Sequence, residues 1–175
     1  MTAATRTGSD VLLDAIAGRG PMPPAAELLG WEALSIEPGR VRVRYTAREA
    51  FYNPMGTVQG GFLAAMLDDA MGPALFTLLE ERQHAPTLDM KVSFVRPAYA
   101  GALIAEGRVV HKGGSVAFVE GELRTEDGEL VATSTATLRI VGARALEGTG
   151  TQCWKRPLND QRRTHRGEPP AGHDS

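Results

Sequence analysis

The chain has 175 residues, with 19 Lys and Arg against 21 Asp and Glu, a formal net charge of -2 and a pI near 6.1. That length suits one domain with a sizeable core, and with the charge near balance nucleic acid is not an obvious partner. No apolar run reaches the roughly 20 residues a bilayer requires, no basic start leads into an apolar stretch as in a signal peptide, and one cysteine, Cys153, excludes an internal disulfide and a cysteine metal cluster. A cytoplasmic protein is expected, without membrane or nucleic-acid partners.

Residues 1–24 read as an N-terminal segment, partly mobile. Within it Ser9-Asp10 caps a short helix over Val11 to Ala17, ended by Gly18 and Gly20. Pro21, Pro23 and Pro24 then forbid regular structure, and Ala25 to Leu29 forms a helical turn. Trp31 to Glu37 reads as a strand, Pro38-Gly39 as a turn and Arg40 to Thr46 as the hairpin partner. In that partner Val41, Val43 and Tyr45 alternate with Arg40, Arg42 and Arg44, the period of a strand with one wet face. The arginine row fits either a solvated face, the commoner case, or a surface for an acidic ligand.

The stretch from Asn53 to Gly72 begins as a glycine-containing turn and becomes an apolar helix. Leu63, Leu67, Ala70, Met71, Ala74, Leu75, Leu78 and Leu79 recur at helical spacing and make a broad buried stripe. Pro73 predicts a bend there, or a second short segment to about Glu81. Gly60 and Gly61 stand at the helix start, where backbone N–H groups lack internal partners and can hold a negative oxygen. Asp68 lies two turns further in, flanked by Leu67 and Ala70, and is expected to be a buried acid. Its neighbour Asp69 points about 100° away and is expected to be solvated or salt-bridged. No further acid or histidine at suitable spacing makes the pair a metal site.

Thr87 to Val95 reads as a strand, stopped by Arg96-Pro97. Ala102 to His111, Ser115 to Arg124 and Leu130 to Val141 follow as three more, joined by Lys112-Gly113-Gly114 and by Thr125 to Gly128. The expected order is a hairpin, a long helix, then four strands in a meander whose apolar face the helix covers. Residues 142–175 form a polar tail without periodicity, expected to be flexible, in which Cys153-Trp154 is the one apolar spot. The domain proper spans 25–141.

Spacing constrains the chemistry. Gly60 and Asp68 are separated by roughly 12 Å on one helix at about 1.5 Å per residue, whereas catalytic groups must reach one reacting centre. If both act together, two antiparallel copies of the helix must share the site.

Asn53-x-x-Gly56-x-x-Gln59-Gly60-Gly61 with Asp68 nine residues after Gln59 resembles the signature of hotdog-fold acyl-CoA thioesterases of the phenylacetate-degradation (PaaI) type. Thr87 to Met90 running to Phe94-x-Arg96-Pro97-Ala98, the Gly113-Gly114-Ser115 turn and Asp127 to Ala132 extend the similarity, which covers roughly Leu29 to Val141. The resemblance implies an α+β hotdog, an antiparallel sheet wrapped around one long helix. It also implies dimers or tetramers, and hydrolysis of aryl- or medium-chain acyl-CoA without metal or cofactor.

Carried over by position, Asp68 is the carboxylate that attacks the thioester or activates water, and Gly60 N–H is the oxyanion donor. Asn53 positions the water or the thioester, and Thr87 assists Asp68. Gly61, Phe94, Arg96, Pro97, Lys112, Gly113, Gly114 and Ser115 lie along the bound substrate and its CoA arm. One position departs: the family carries histidine where this chain has Gln59, which can donate a hydrogen bond but cannot carry a proton. A weakly catalytic or non-catalytic acyl-CoA-binding hotdog protein is therefore the alternative reading. A hotdog hydratase or dehydratase is a further one, disfavoured because no histidine accompanies Asp68.

Overall fold

The computed structural model describes residues 22–80 and 83–142, together with Asp14. Apart from Asp14, the helix expected over Val11 to Ala17 lies outside the described residues, and so does the tail after residue 142 with Cys153 and Trp154.

Helix α1 (Pro24–Leu29) starts on a proline, whose missing N–H costs nothing in a first turn, and stops at Gly30 with φ 70°. Strands β1 (Glu32–Glu37) and β2 (Arg40–Ala47) form the expected hairpin, turned by Gly39 at φ 76°. A 3₁₀ turn (Glu49–Phe51) leads through residues 52–59 to helix α2 (Gly60–Phe76). Strands β3 (Thr87–Phe94), β4 (Gly101–Lys112), β5 (Val116–Thr125) and β6 (Leu130–Arg139) complete a six-stranded antiparallel sheet ordered β1-β2-β4-β5-β6-β3.

That order corrects the expected four-strand meander. Only β4, β5 and β6 meander; β3 pairs with β6 at the far edge, Phe94 opposite Ala132 and Thr87 opposite Leu138. The linker 95–100 therefore crosses the end of the sheet past β6 and β5. Three strand spacings, about 14 Å at 4.7–4.9 Å each, are within reach of six extended residues. Ala98 C=O accepts from Val58 N–H at 2.8 Å, pinning the linker to the loop before α2.

Helix α2 passes through Pro73 without interruption to Phe76, and among the described residues no second helical segment follows. Proline at that position forfeits only the hydrogen bond to the Asp69 carbonyl, and the helix ends a turn later. Thr77 Oγ1 then donates to Ala74 C=O and accepts from Gly39 N–H, both at 2.7 Å, fastening the helix end to the β1–β2 turn.

The sheet holds α2 closely. Leu63, Met66, Leu67, Ala70, Met71, Ala74 and Leu75 are buried against it, each large side chain contributing about 1.5–3 kcal/mol. At Gly107 on β4 a Cβ would lie 2.3 Å from the Ala70 carbonyl oxygen, so the helix backbone rests on that strand. At Gly121 on β5 it would meet Met71 and Leu67 at 3.1 and 3.2 Å. On the outer face Arg40 pairs with Glu106 at 2.8 Å, Arg44 with Glu126 at 2.9 Å and Arg124 with Glu122 at 2.7 Å. The arginine row is a solvated strand face whose acidic partners are Glu106 on the neighbouring strand β4 and Glu126 in the turn after β5.

Candidate functional site

The loop before α2 is built by Asn53. Its Oδ1 accepts from the backbone of Met55 at 2.9 Å and of Thr57 at 3.3 Å, while Nδ2 donates to Thr57 Oγ1 at 3.0 Å. Gly56 turns the chain there with φ 74°, a conformation that favours glycine. Asn53 thus holds the turn, and one amide hydrogen of its side chain remains to be given elsewhere.

Gln59 is the N-cap of α2: its Oε1 accepts from Gly61 N–H. Gly60 N–H, one residue earlier, has no acceptor among the described residues, and it sits at the positive end of the helix dipole. The Phe94 ring lies over it, so close that a Cβ on Gly60 would stand 3.0 Å from the ring. Asn53, Thr57, Val58, Gly60, Leu63, Phe94, Val95, Arg96 and Pro97 line one cleft of about 390 Å³. The linker that crosses the sheet end is one wall, and the start of α2 is the other. Arg96 spends a guanidinium N–H on the Leu130 carbonyl at 3.1 Å.

Asp68 lies elsewhere. Its Oδ1 accepts from Thr87 Oγ1 at 2.8 Å, joining the middle of α2 to the first residue of β3. The expected burial is corrected: in the single chain Asp68 is exposed, because the edge strand β3 leaves that flank of the helix open. The β4–β5 turn, with Lys112, Gly113, Gly114 and Ser115, closes the same end of the sheet: Ser115 C=O accepts from Ile140 N–H at 2.8 Å, and Pro86 C=O accepts from Arg139 N–H at 3.0 Å.

The nominated residues therefore fall into two groups. Asn53, Gln59, Gly60, Gly61, Phe94, Arg96 and Pro97 gather where β3 ends, whereas Asp68, Thr87 and Lys112 to Ser115 gather where it begins. Gly60 and Asp68, one in each group, are eight residues apart on α2, roughly 12 Å at about 1.5 Å per residue, too far to act on one carbonyl within a single chain.

One polar contact was not foreseen. Asp69 is half-buried, has no salt bridge among the described residues, and its Oδ2 accepts from Tyr45 OH at 3.0 Å. Tyr45 itself, on the inner face of β2, is 0% exposed. Burial pushes the Asp69 carboxyl up to about 6; the Tyr45 hydrogen bond opposes that rise and the Asp68 charge adds to it. Burial, then the Asp69 charge, raises the Tyr45 phenol well above its ordinary range. A tyrosine on the apolar side of a strand pattern was the signal available, since a buried phenol needs a partner.

The fold has counterparts among known proteins. Residues 55–132 match the thioesterase superfamily. A phenylacetic acid degradation-related protein of Ralstonia eutropha has a crystal structure similar to this one, with TM-score 0.69 and 40% identity over 73% of this chain and 97% of that one. A candidate esterase of Saccharolobus solfataricus is 30% identical over 66% of this chain and 81% of its own length. Human acyl-coenzyme A thioesterase 13 is 27% identical over 61% of this chain and 77% of its own length. The chain belongs to the thioesterase superfamily, as a thioester hydrolase on the hotdog fold.

Proposed function

We propose that the protein hydrolyses an aryl- or medium-chain acyl-CoA to the free acid and CoA, at a site shared by two antiparallel copies. The observation that carries this reading is the split of the site. One chain offers an unoccupied helix-start amide beside a cleft, and offers a carboxylate–hydroxyl pair roughly 12 Å along the same helix, beyond reach of one carbonyl. Strand β3 is the last strand of the sheet, and its outer edge has no partner among the described residues. A second copy paired antiparallel along that edge would lay the Thr87 end of one strand beside the Phe94 end of the other, bringing the two groups together.

In such a site the thioester carbonyl points at Gly60 N–H, which stabilises the negative oxygen as it forms. Asp68 of the other copy either attacks the carbonyl carbon, forming an anhydride that water then opens, or takes a proton from the attacking water. Thr87, already donating to Asp68, holds the carboxylate in orientation. CoA leaves as the thiolate and takes up a proton. Arg96, Lys112 and the Gly113-Gly114-Ser115 turn would contact the CoA arm, with Arg96 and Lys112 as cations for its nucleotide phosphates. Incubating the purified protein with a panel of acyl-CoAs and reading free thiol tests the proposal: hydrolysis of aryl or medium acyl groups is expected, and absence of thiol release with every acyl-CoA overturns it.

Gln59 favours a second reading, a binder with slow chemistry: its Oε1 is committed to the helix cap, and its remaining Nε2 donors cannot carry a proton as a histidine can. Saturable acyl-CoA binding without thiol release identifies that case.

A further inference from the structure

The structure assigns a positioning role to Tyr45: through its hydrogen bond to Asp69 it fixes the rotation of α2, and with it the place of Asp68 against Thr87. This rests on the reading in which Asp68 carries the reaction.

Along its middle turns the contact between α2 and the sheet is otherwise apolar, the bond from Gly39 N–H to Thr77 Oγ1 lying past the end of the helix. Leucine, methionine and alanine side chains pack over the bare backbone at Gly107 and Gly121, and apolar burial has no preferred direction. Two directional bonds approach the helix from opposite sides. Tyr45 comes from β2 and Thr87 from β3, strands separated in the sheet by β4, β5 and β6. Their acceptors are consecutive residues, about 100° apart around the helix. One bond alone leaves the helix free to roll about that anchor; the pair determines its angle.

Small rotations matter here. A carboxylate about 6 Å from the helix axis moves about 1 Å for a roll of about 10°, given helix dimensions, and a misplacement of that size costs up to about 10²-fold in rate. The Tyr45 ring would pack equally well as phenylalanine, and the half-buried Asp69 carboxyl would be easier to desolvate as a neutral group. Packing alone explains neither polar group. What they supply together is a tether on the flank of α2 opposite the site.

Three variants test this with hexanoyl-CoA and phenylacetyl-CoA as substrates. Tyr45→Phe keeps the ring and removes the donor; kcat is expected to fall about tenfold with KM within about twofold, the pattern of lost alignment rather than lost binding. Asp69→Asn keeps an acceptor for the phenol and is expected to hold kcat near that of the wild type. Asp69→Leu removes the acceptor and should match Tyr45→Phe, and combining those two should lower kcat no further. Wild-type kcat in Tyr45→Phe overturns the role of Tyr45, and so does an equal loss in Asp69→Asn and Asp69→Leu, which would make charge rather than the bond the cause. Full activity in Asp68→Asn would instead remove the reading of the site itself.

Discussion

Thr87 Oγ1 donates to Asp68 Oδ1 at 2.8 Å, tying the first residue of the edge strand to the middle of the central helix. The hydroxyl orients one carboxylate oxygen and leaves the other open to the flank that a second copy would cover. Asp68→Asn keeps the size and the hydrogen bond but removes the base, so kcat should fall about 10³-fold, within the range general-base loss produces. Thr87→Val should cost about tenfold, since orientation alone is lost. Thiol release under saturating acyl-CoA measures both.

Gly60→Pro isolates the oxyanion donor. Gln59 already has φ -63° and ψ 132°, the conformation a following proline requires, and proline is at home in the first turn of a helix. The substitution removes one N–H, and the Phe94 ring, which would be 3.0 Å from the new Cβ, must shift slightly. Thermal melting should change little while kcat drops about 10²–10³-fold.

Mixing these variants tests the shared site. Asp68→Asn and Gly60→Pro are each nearly inactive alone, yet a mixed dimer rebuilds one intact site from the two unmodified halves. Random reassortment should restore about a quarter of wild-type activity, one intact site in half of the dimers. No recovery after verified exchange of chains would place all the chemistry within one copy.

Asp69 makes stability depend on pH. Its carboxyl titrates at about 6 in the folded chain against an ordinary value of 3.8, so between those values the folded state holds a proton that the unfolded state has released. Stability therefore falls as pH rises through that window, by at most about 3 kcal/mol at 1.36 kcal/mol per unit. Asp69→Asn has no such proton to lose. Denaturation midpoints at pH 4 and pH 7 should differ less for the variant than for the wild type, and at pH 7 the variant should be the more stable of the two.

Gly107→Ala should be among the most damaging substitutions in the sheet. Its Cβ would stand 2.3 Å from the Ala70 carbonyl oxygen and 2.8 Å from Met71 Cα, both backbone atoms that cannot rotate away. A loss of about 3 kcal/mol or more is expected, read as a lowered denaturant midpoint. Gly114→Ala, with nothing within 4 Å of the new carbon, should leave the midpoint unchanged.

The sequence by itself determined which segments are strands and which the helix, because the periods of two and of 3.6 are written along the chain in the alternation of Val41, Val43 and Tyr45 and in the stripe from Leu63 to Leu75. It also marked the turn at Asn53 and Gly56 and the acid at 68, since both are local in chemistry. The pairing of β3 with β6 was not legible, because an alternating strand reads the same whichever neighbour it joins; only the path of the linker 95–100 decides that. The exposure of Asp68 follows from that edge position, and the division of the site residues between the two ends of β3 follows from the direction in which α2 crosses the sheet. The Tyr45–Asp69 bond likewise exists only in three dimensions: the two residues are 24 apart in the chain, and the helix must lie down on β4 and β5 before the phenol and the carboxyl can meet.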